Sequence, residues 1–133
     1  MSQENVEMAR RAYEAFSRGD LEGMVAAFPP EFEYVTARTI PGAGGVYRGP
    51  EGYRRFVESW WDAFDELVVE VHELIEAGDR VLASLELRGR GKQSGVETSW
   101  DVWQVWTARD GKVVRGQGFA SREEALEAAG LAE

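Results

Sequence analysis

Four side chains able to take part in chemistry, Glu73, Asp101, Arg115 and Gln117, recur at alternating positions among apolar residues in the second half of this 133-residue chain. Alternation of that kind sends successive side chains to opposite faces of a strand, so each of these groups shares a face with valine, leucine or tryptophan. A carboxylate among apolar neighbours is costly unless it is hydrogen-bonded, paired or wetted, and a ligand pocket supplies such surroundings. The chemistry suited to them is proton transfer beside a carbonyl. Asp101 would serve as general base, and Tyr13, Tyr34 or the indole of Trp103 would donate to the developing enolate oxygen while Gln117 orients the substrate. Glu73, Trp60, Arg115 and Phe119 complete the expected ligand-binding set. The competing structural reading pairs Asp101 with a buried tyrosine or amide and leaves Glu73 and Arg115 at the sheet margins.

The elements that must position these groups follow from periodicity. Val6, Ala9, Tyr13 and Phe16 repeat at helical spacing, and Gly19 ends that helix. Asp20 caps a shorter helix with Leu21, Met24, Val25 and Phe28 on its buried side, closed by Pro29 and Pro30. A short strand is expected at Phe32–Thr36, a glycine-rich loop from Ile40 to Pro50, and a third helix carrying Tyr53, Phe56, Val57, Trp60 and Phe64. After Asp65 the period becomes two. Strands are expected at about 67–76, 80–88, 96–108 and 112–119, and the capping box Ser121–Glu124 opens a last helix ending at Gly130. Helices followed by an antiparallel meander imply an α+β fold of one domain, residues 1–133, with the helices on one face of a curved sheet.

Registers follow if each turn pairs its flanking residues. Pairing Glu76 with Arg80, Arg88 with Val96 and Ala108 with Lys112 puts Val69, Val71, Ile75, Val81, Ala83, Leu85, Leu87, Trp103, Val105, Val113 and Phe119 on the helix-covered face. Glu73, Asp101, Arg115 and Gln117 fall on it too. The opposite face carries Trp100, Val102, Gln104 and Trp106 beside Gly116 and Gly118, a flat apolar patch expected to form a homodimer. His72, near Glu70 and Glu86, falls on that second face without a catalytic part.

Composition narrows the function classes. The net charge of −9 repels a phosphate backbone, so no nucleic-acid partner is expected. No apolar run is long enough to span a membrane, and the charged N-terminus lacks a signal peptide's apolar stretch, so the expected location is cytoplasmic. Zero cysteines exclude disulfides and thiolate chemistry, and one histidine excludes a multi-histidine metal site within a chain; no metal or cofactor is expected. Gly89–Gly95 lacks the Walker arrangement of a lysine followed directly by Ser or Thr, and Gly42–Gly45 lacks the context of a dinucleotide fingerprint.

Several strings together resemble the nuclear transport factor 2-like superfamily, and within it the SnoaL-like group that includes polyketide cyclases and relatives of ketosteroid isomerase. They are Tyr13–Asp20 (YEAFSRGD), Tyr47–Gly52 (YRGPEG), Ala77–Val81 (AGDRV), Val105–Val113 (VWTARDGKV) and Arg122–Leu126 (REEAL). The resemblance implies a cone-shaped barrel of curved, mostly antiparallel sheet with a deep pocket, covered on its concave face by N-terminal helices. It further implies a dimer through the outer sheet face and cofactor-independent isomerase or aldol-type cyclase chemistry on an apolar carbonyl compound. A binding protein for an apolar ligand, or an interaction module whose pocket is filled by its own side chains, are the alternatives. The resemblance puts Thr36 where the isomerases carry their base carboxylate and Gln104 where many SnoaL-like relatives carry a histidine.

Overall fold

The computed structural model describes residues 2–36 and 45–131. Helix α1 spans Ser2–Ser17 and α2 spans Leu21–Val25, where the Asp20 side chain accepts a hydrogen bond from the Gly23 amide at 3.0 Å. Strand β1 (Glu33–Val35) and β2 (Val46–Arg48) precede α3 (Gly49–Ala63), which starts with a proline in its first turn, where a missing N–H costs nothing. The meander follows as β3 (Phe64–Ala77), β4 (Arg80–Gly91), β5 (Glu97–Arg109) and β6 (Lys112–Phe119), and α4 (Arg122–Ala129) closes the chain. The fold is α+β, as expected. Six strands in the order β2-β1-β6-β5-β4-β3 form a curved, mostly antiparallel sheet that stays open, with β2 and β3 at its edges.

Two features of the sheet were not foreseen. Strand β2 pairs with β1, Tyr34 opposite Tyr47, inside the stretch expected as loop; residues 40–44 of that loop lie outside the described residues. Strand β1 also runs parallel to β6, Tyr34 beside Gly116. A side chain at 116 would collide with Trp106 and come within 2.8 Å of Tyr34, so glycine there lets the two rings close over the strand.

The registers correct the expected faces. Strand β4 continues through the glycines to Gly91, so Arg90 pairs with Glu97 and Arg88 with Ser99 rather than Val96. That slip is three residues, an odd number, and it turns β5 over. Trp100, Val102, Gln104, Trp106 and Ala108 therefore share the inner face with Leu87, Leu85, Ala83 and Val81, while Asp101, Trp103 and Val105 face outward. Gly89 is strand because β3 crosses close by: a Cβ there would lie 2.9 Å from the Leu67 side chain. An irregularity between Thr107 and Ala108 moves β6 by two residues from the expected register, so Trp103 pairs with Phe119 rather than Gln117 and Val105 with Gln117 rather than Arg115; the slip is even, and Arg115, Gln117 and Phe119 share a face with Trp103, but the outer one. In β3 the turn pairs Ala77 with Arg80, and a bulge at His72 restores the expected pairing of Val71 with Leu85. Glu73, opposite Ser84, consequently points outward.

Helices α1, α2 and α3 cover the inner face. Ala15, Met24, Val25, Phe32, Tyr34, Tyr53 and Val57 are buried together there, and Tyr13, Ala83 and Leu85 form an adjoining cluster. The outer face is not bare. Helix α4 lays Ala125 and Ala129 on Leu82 and Val105, with Ile75, Trp103 and Phe119 around them. Its N-terminus is capped by Ser121, which accepts from the Glu124 amide at 3.2 Å, and Gly130 ends it in the left-handed conformation at φ 77°. Among the described residues no helix is long and apolar enough to cross a membrane.

Candidate functional site

A cavity of 520 Å³ lies between the inner sheet face and helices α1–α3. Its walls are Met8, Ala12, Tyr13 and Phe16 from α1, Met24 from α2, Tyr53, Phe56, Val57 and Trp60 from α3, and Leu85, Leu87, Val102, Gln104 and Trp106 from the sheet. The volume falls in the range of small-molecule sites, and the walls are mainly aliphatic and aromatic. Trp60 and Trp100, both half-buried, stack at 5.6 Å, with Phe64 against Trp100 at 5.3 Å. Deeper in, Trp106 lies among Phe28, Phe32, Tyr34 and Tyr53 with ring centroids 5.6–6.4 Å apart.

One polar chain crosses this apolar lining. The Trp106 indole N–H donates to the Tyr13 hydroxyl at 2.6 Å, Tyr13 donates to Gln104 Oε1 at 2.5 Å, and Gln104 Nε2 donates to the Tyr34 hydroxyl at 2.8 Å. Gln104 is 9% exposed, and both its amide oxygen and its amide nitrogen have a partner there. Burial pushes Tyr34 up to about 12, against the lowering effect of the Gln104 hydrogen bond. Burial likewise raises Tyr13, against the Trp106 bond, and raises Tyr53, with the charges of Tyr34 and Tyr13 acting in the same direction. These phenols therefore hold their protons through the neutral range.

The expected site residues divide. Tyr13, Tyr34 and Trp60 line the cavity, and Phe119 touches it from the end of β6. Asp101 borders it only from the rim: its residue is exposed and sits opposite Glu86, so it does not point beneath the helices as expected. Glu73, Trp103, Arg115 and Gln117 are not among the lining residues. Glu73 accepts from Arg122 at 3.3 Å, Trp103 packs under α4, Arg115 is exposed, and Gln117 is half-buried opposite Val105. The reason for all of them is the outward face on which they lie. Trp100, Gln104 and Trp106 change places with them, so the patch expected to form a homodimer is instead the cavity wall.

Gln104, Trp106, Trp100, Tyr53 and Thr36 are among the lining residues not assigned to a site from the sequence. A signal for the first three was present, since positions 100, 102, 104, 106 and 108 read W-V-Q-W-A and positions 101, 103, 105 and 107 read D-W-V-T. The former set is the more apolar and belongs inside. On the outer face, Glu70, His72 and Glu86 bring their ligating atoms within 4.8 Å of one another, and Arg88 pairs with Glu70 at 3.2 Å.

The family model of the SnoaL-like domain matches residues 9–116. No curated protein matches the sequence. Among solved structures, an NTF2-like protein of unknown function from Burkholderia pseudomallei is 25% identical over 93% of this chain and 95% of its own, with a TM-score of 0.79. TerC, co-crystallised with polyporic acid, is 26% identical over 96% of this chain and 98% of its own, also at 0.79. A putative SnoaL-like polyketide cyclase from Jannaschia sp. shares the fold at 20% identity and a TM-score of 0.79, over 99% of this chain and 94% of its own.

Proposed function

The chain belongs to the SnoaL-like domain family, and we propose that within it this protein holds an apolar, ring-bearing small molecule in the cavity between sheet and helices. The observation that carries the reading is the 520 Å³ space walled by aromatic and aliphatic side chains and crossed by one hydrogen-bonded polar chain. A self-filled interior would leave no such space, so the interaction-module reading loses its basis. The co-crystal of the similar TerC with polyporic acid supports a small organic ligand.

Binding is favoured over isomerase or cyclase catalysis by the placement of the acids. Asp101 is the one carboxylate bordering the cavity among the described residues, and it is exposed at the rim. A general base must come within hydrogen-bond reach of the proton it removes, and no inward carboxylate is there to do so.

The neutral probe N-phenyl-1-naphthylamine tests the reading. Its fluorescence should rise saturably with one molecule per chain. Val102→Trp, which puts an indole into the cavity from β5, should weaken it about tenfold or more while the far-ultraviolet dichroism stays native. Equal binding by the two proteins would place the probe elsewhere and end the proposal.

A further inference from the structure

Three side chains able to ligate a metal converge on the outer face of the sheet, behind the cavity wall. Glu70 on β3 stands directly opposite Glu86 on β4, and Glu86 in turn stands opposite Asp101 on β5, so a row of carboxylates crosses three strands. Like charges directly opposite one another destabilise a strand pair. His72 joins the row from the bulge in β3. The pairing passes from Val71 with Leu85 to Glu73 with Ser84, so His72 has no residue opposite it, and its imidazole reaches the two glutamates with Nε2 3.7 Å from a Glu86 oxygen.

The ligating atoms of Glu70, His72 and Glu86 all lie within 4.8 Å of one another. Around a tetrahedral zinc ion with bonds of about 2.0–2.2 Å, donor atoms stand roughly 3.4 Å apart, a difference that side-chain rotations on a solvent-facing surface can close. The surrounding charges favour a cation. Arg88 pairs with Glu70 at 3.2 Å, but among the described residues Glu86 has no ion-pair partner other than His72, and that pair is a charged one only when the imidazole is protonated. Glu73, the next outward acid, is already held by Arg122 at 3.3 Å.

We infer that Glu70, His72 and Glu86 form a site for a divalent transition-metal ion of the zinc class, bound by the neutral imidazole through Nε2 and by one oxygen of each carboxylate, with water filling the remaining position. A nitrogen donor among the oxygens selects such an ion over calcium or magnesium, which take oxygen ligands. A single histidine is enough, because the two carboxylates supply the other bonds and the negative charge. The ion ties edge strand β3 to β4 beside its bulge and offsets the repulsion between the opposed glutamates.

The test exploits His72 being the only histidine in the chain, so its imidazole nitrogens give signals that need no assignment. Long-range proton–nitrogen correlation spectra of the intact protein, first cleared of metal with EDTA and dialysed, are recorded as zinc chloride is added, and calorimetry measures the affinity. One equivalent of zinc should move the Nε2 resonance while the far-ultraviolet dichroism stays native, and the same amount of calcium chloride should leave it in place. His72→Ala, Glu70→Gln and Glu86→Gln should each weaken zinc binding at least about tenfold. Arg88→Ala, which releases Glu70 from its ion pair, should tighten binding about two- to fivefold, a gain that a lone surface histidine would not show. An imidazole resonance unmoved by zinc, or zinc binding by His72→Ala equal to that of the wild type, would overturn the proposal. So would glutamine variants that bind as the wild type does, since the imidazole would then be acting alone. The cavity reading stands or falls separately from all of these outcomes.

Discussion

Tyr34 is the residue at which local chemistry and global stability meet. Its phenol ionises near the ordinary value of 10.0 in an unfolded chain but is pushed up to about 12 in the folded one. Between those values the unfolded chain binds fewer protons than the native one, so stability falls as pH rises through that window. The contribution is fully present below pH 10.0. Urea midpoints measured from pH 8 to 12 should therefore decline at the alkaline end for the wild type. Tyr34→Phe, which has no proton to lose there, should decline less, so the gap between the two proteins narrows. A constant gap across the series would mean that Tyr34 ionises alike in both states. Gly116→Ala probes the same region from beneath. The new Cβ would meet Tyr34 at 2.8 Å and the Trp106 ring, and both rings would have to leave their present stacking and hydrogen bonds to make room, so urea unfolding should show a loss of about 1–3 kcal/mol.

At the scale of elements, helix α4 explains why the outer face of β4–β6 is apolar. Ala125 is fully buried on Leu82 and Val105. Ala125→Glu would force a carboxylate into that contact and should cost about 3 kcal/mol or more in a urea titration. Ser121→Ala removes only the cap and should cost about 1 kcal/mol. Edge strand β3 is partly shielded by α1, where the Ser17 hydroxyl accepts from the Val69 amide at 3.2 Å. Helices, meander and last cap were legible in the sequence because periodicity, prolines and the Ser121–Glu124 box are local signals. The faces of β5 were not. Turn position had to be guessed from glycines, and Gly89 and Gly91 belong to β4 because β3 and Ser94 crowd them, not because the chain turns there. Three residues of slip moved Asp101, Trp103, Arg115 and Gln117 out of the expected site and Trp100, Gln104 and Trp106 into it. The W-V-Q-W-A alternation carried the right answer. Tyr13, Tyr34 and Trp60 survived because helix periodicity and a one-strand reading placed them without any turn. The β1–β6 parallel pair was out of reach for another reason: it joins segments about eighty residues apart, and loop closure on that scale leaves no local trace.

For the whole molecule, the cavity makes stability and ligand binding one quantity. Space of 520 Å³ inside a 133-residue chain is apolar surface that packs against nothing when empty, and its lining forgoes the dispersion contacts that a filled core would have. A ligand that enters the folded chain and not the unfolded one restores those contacts and shifts the unfolding equilibrium by mass action. At a free concentration of one hundred dissociation constants the gain is about 2.7 kcal/mol. For a domain of this size such a gain raises the thermal midpoint by roughly 5–15 °C. Scanning calorimetry with saturating N-phenyl-1-naphthylamine should show a rise of that order in the wild type, and Val102→Trp, with the space already occupied, should show little. A midpoint that rises equally in both proteins would locate the ligand outside the cavity. Because the shift depends on concentration relative to affinity, the wild-type midpoint should climb with the logarithm of free probe concentration once the site is mostly filled, and a midpoint that stays level above that point would mean that binding and folding are not linked through the cavity.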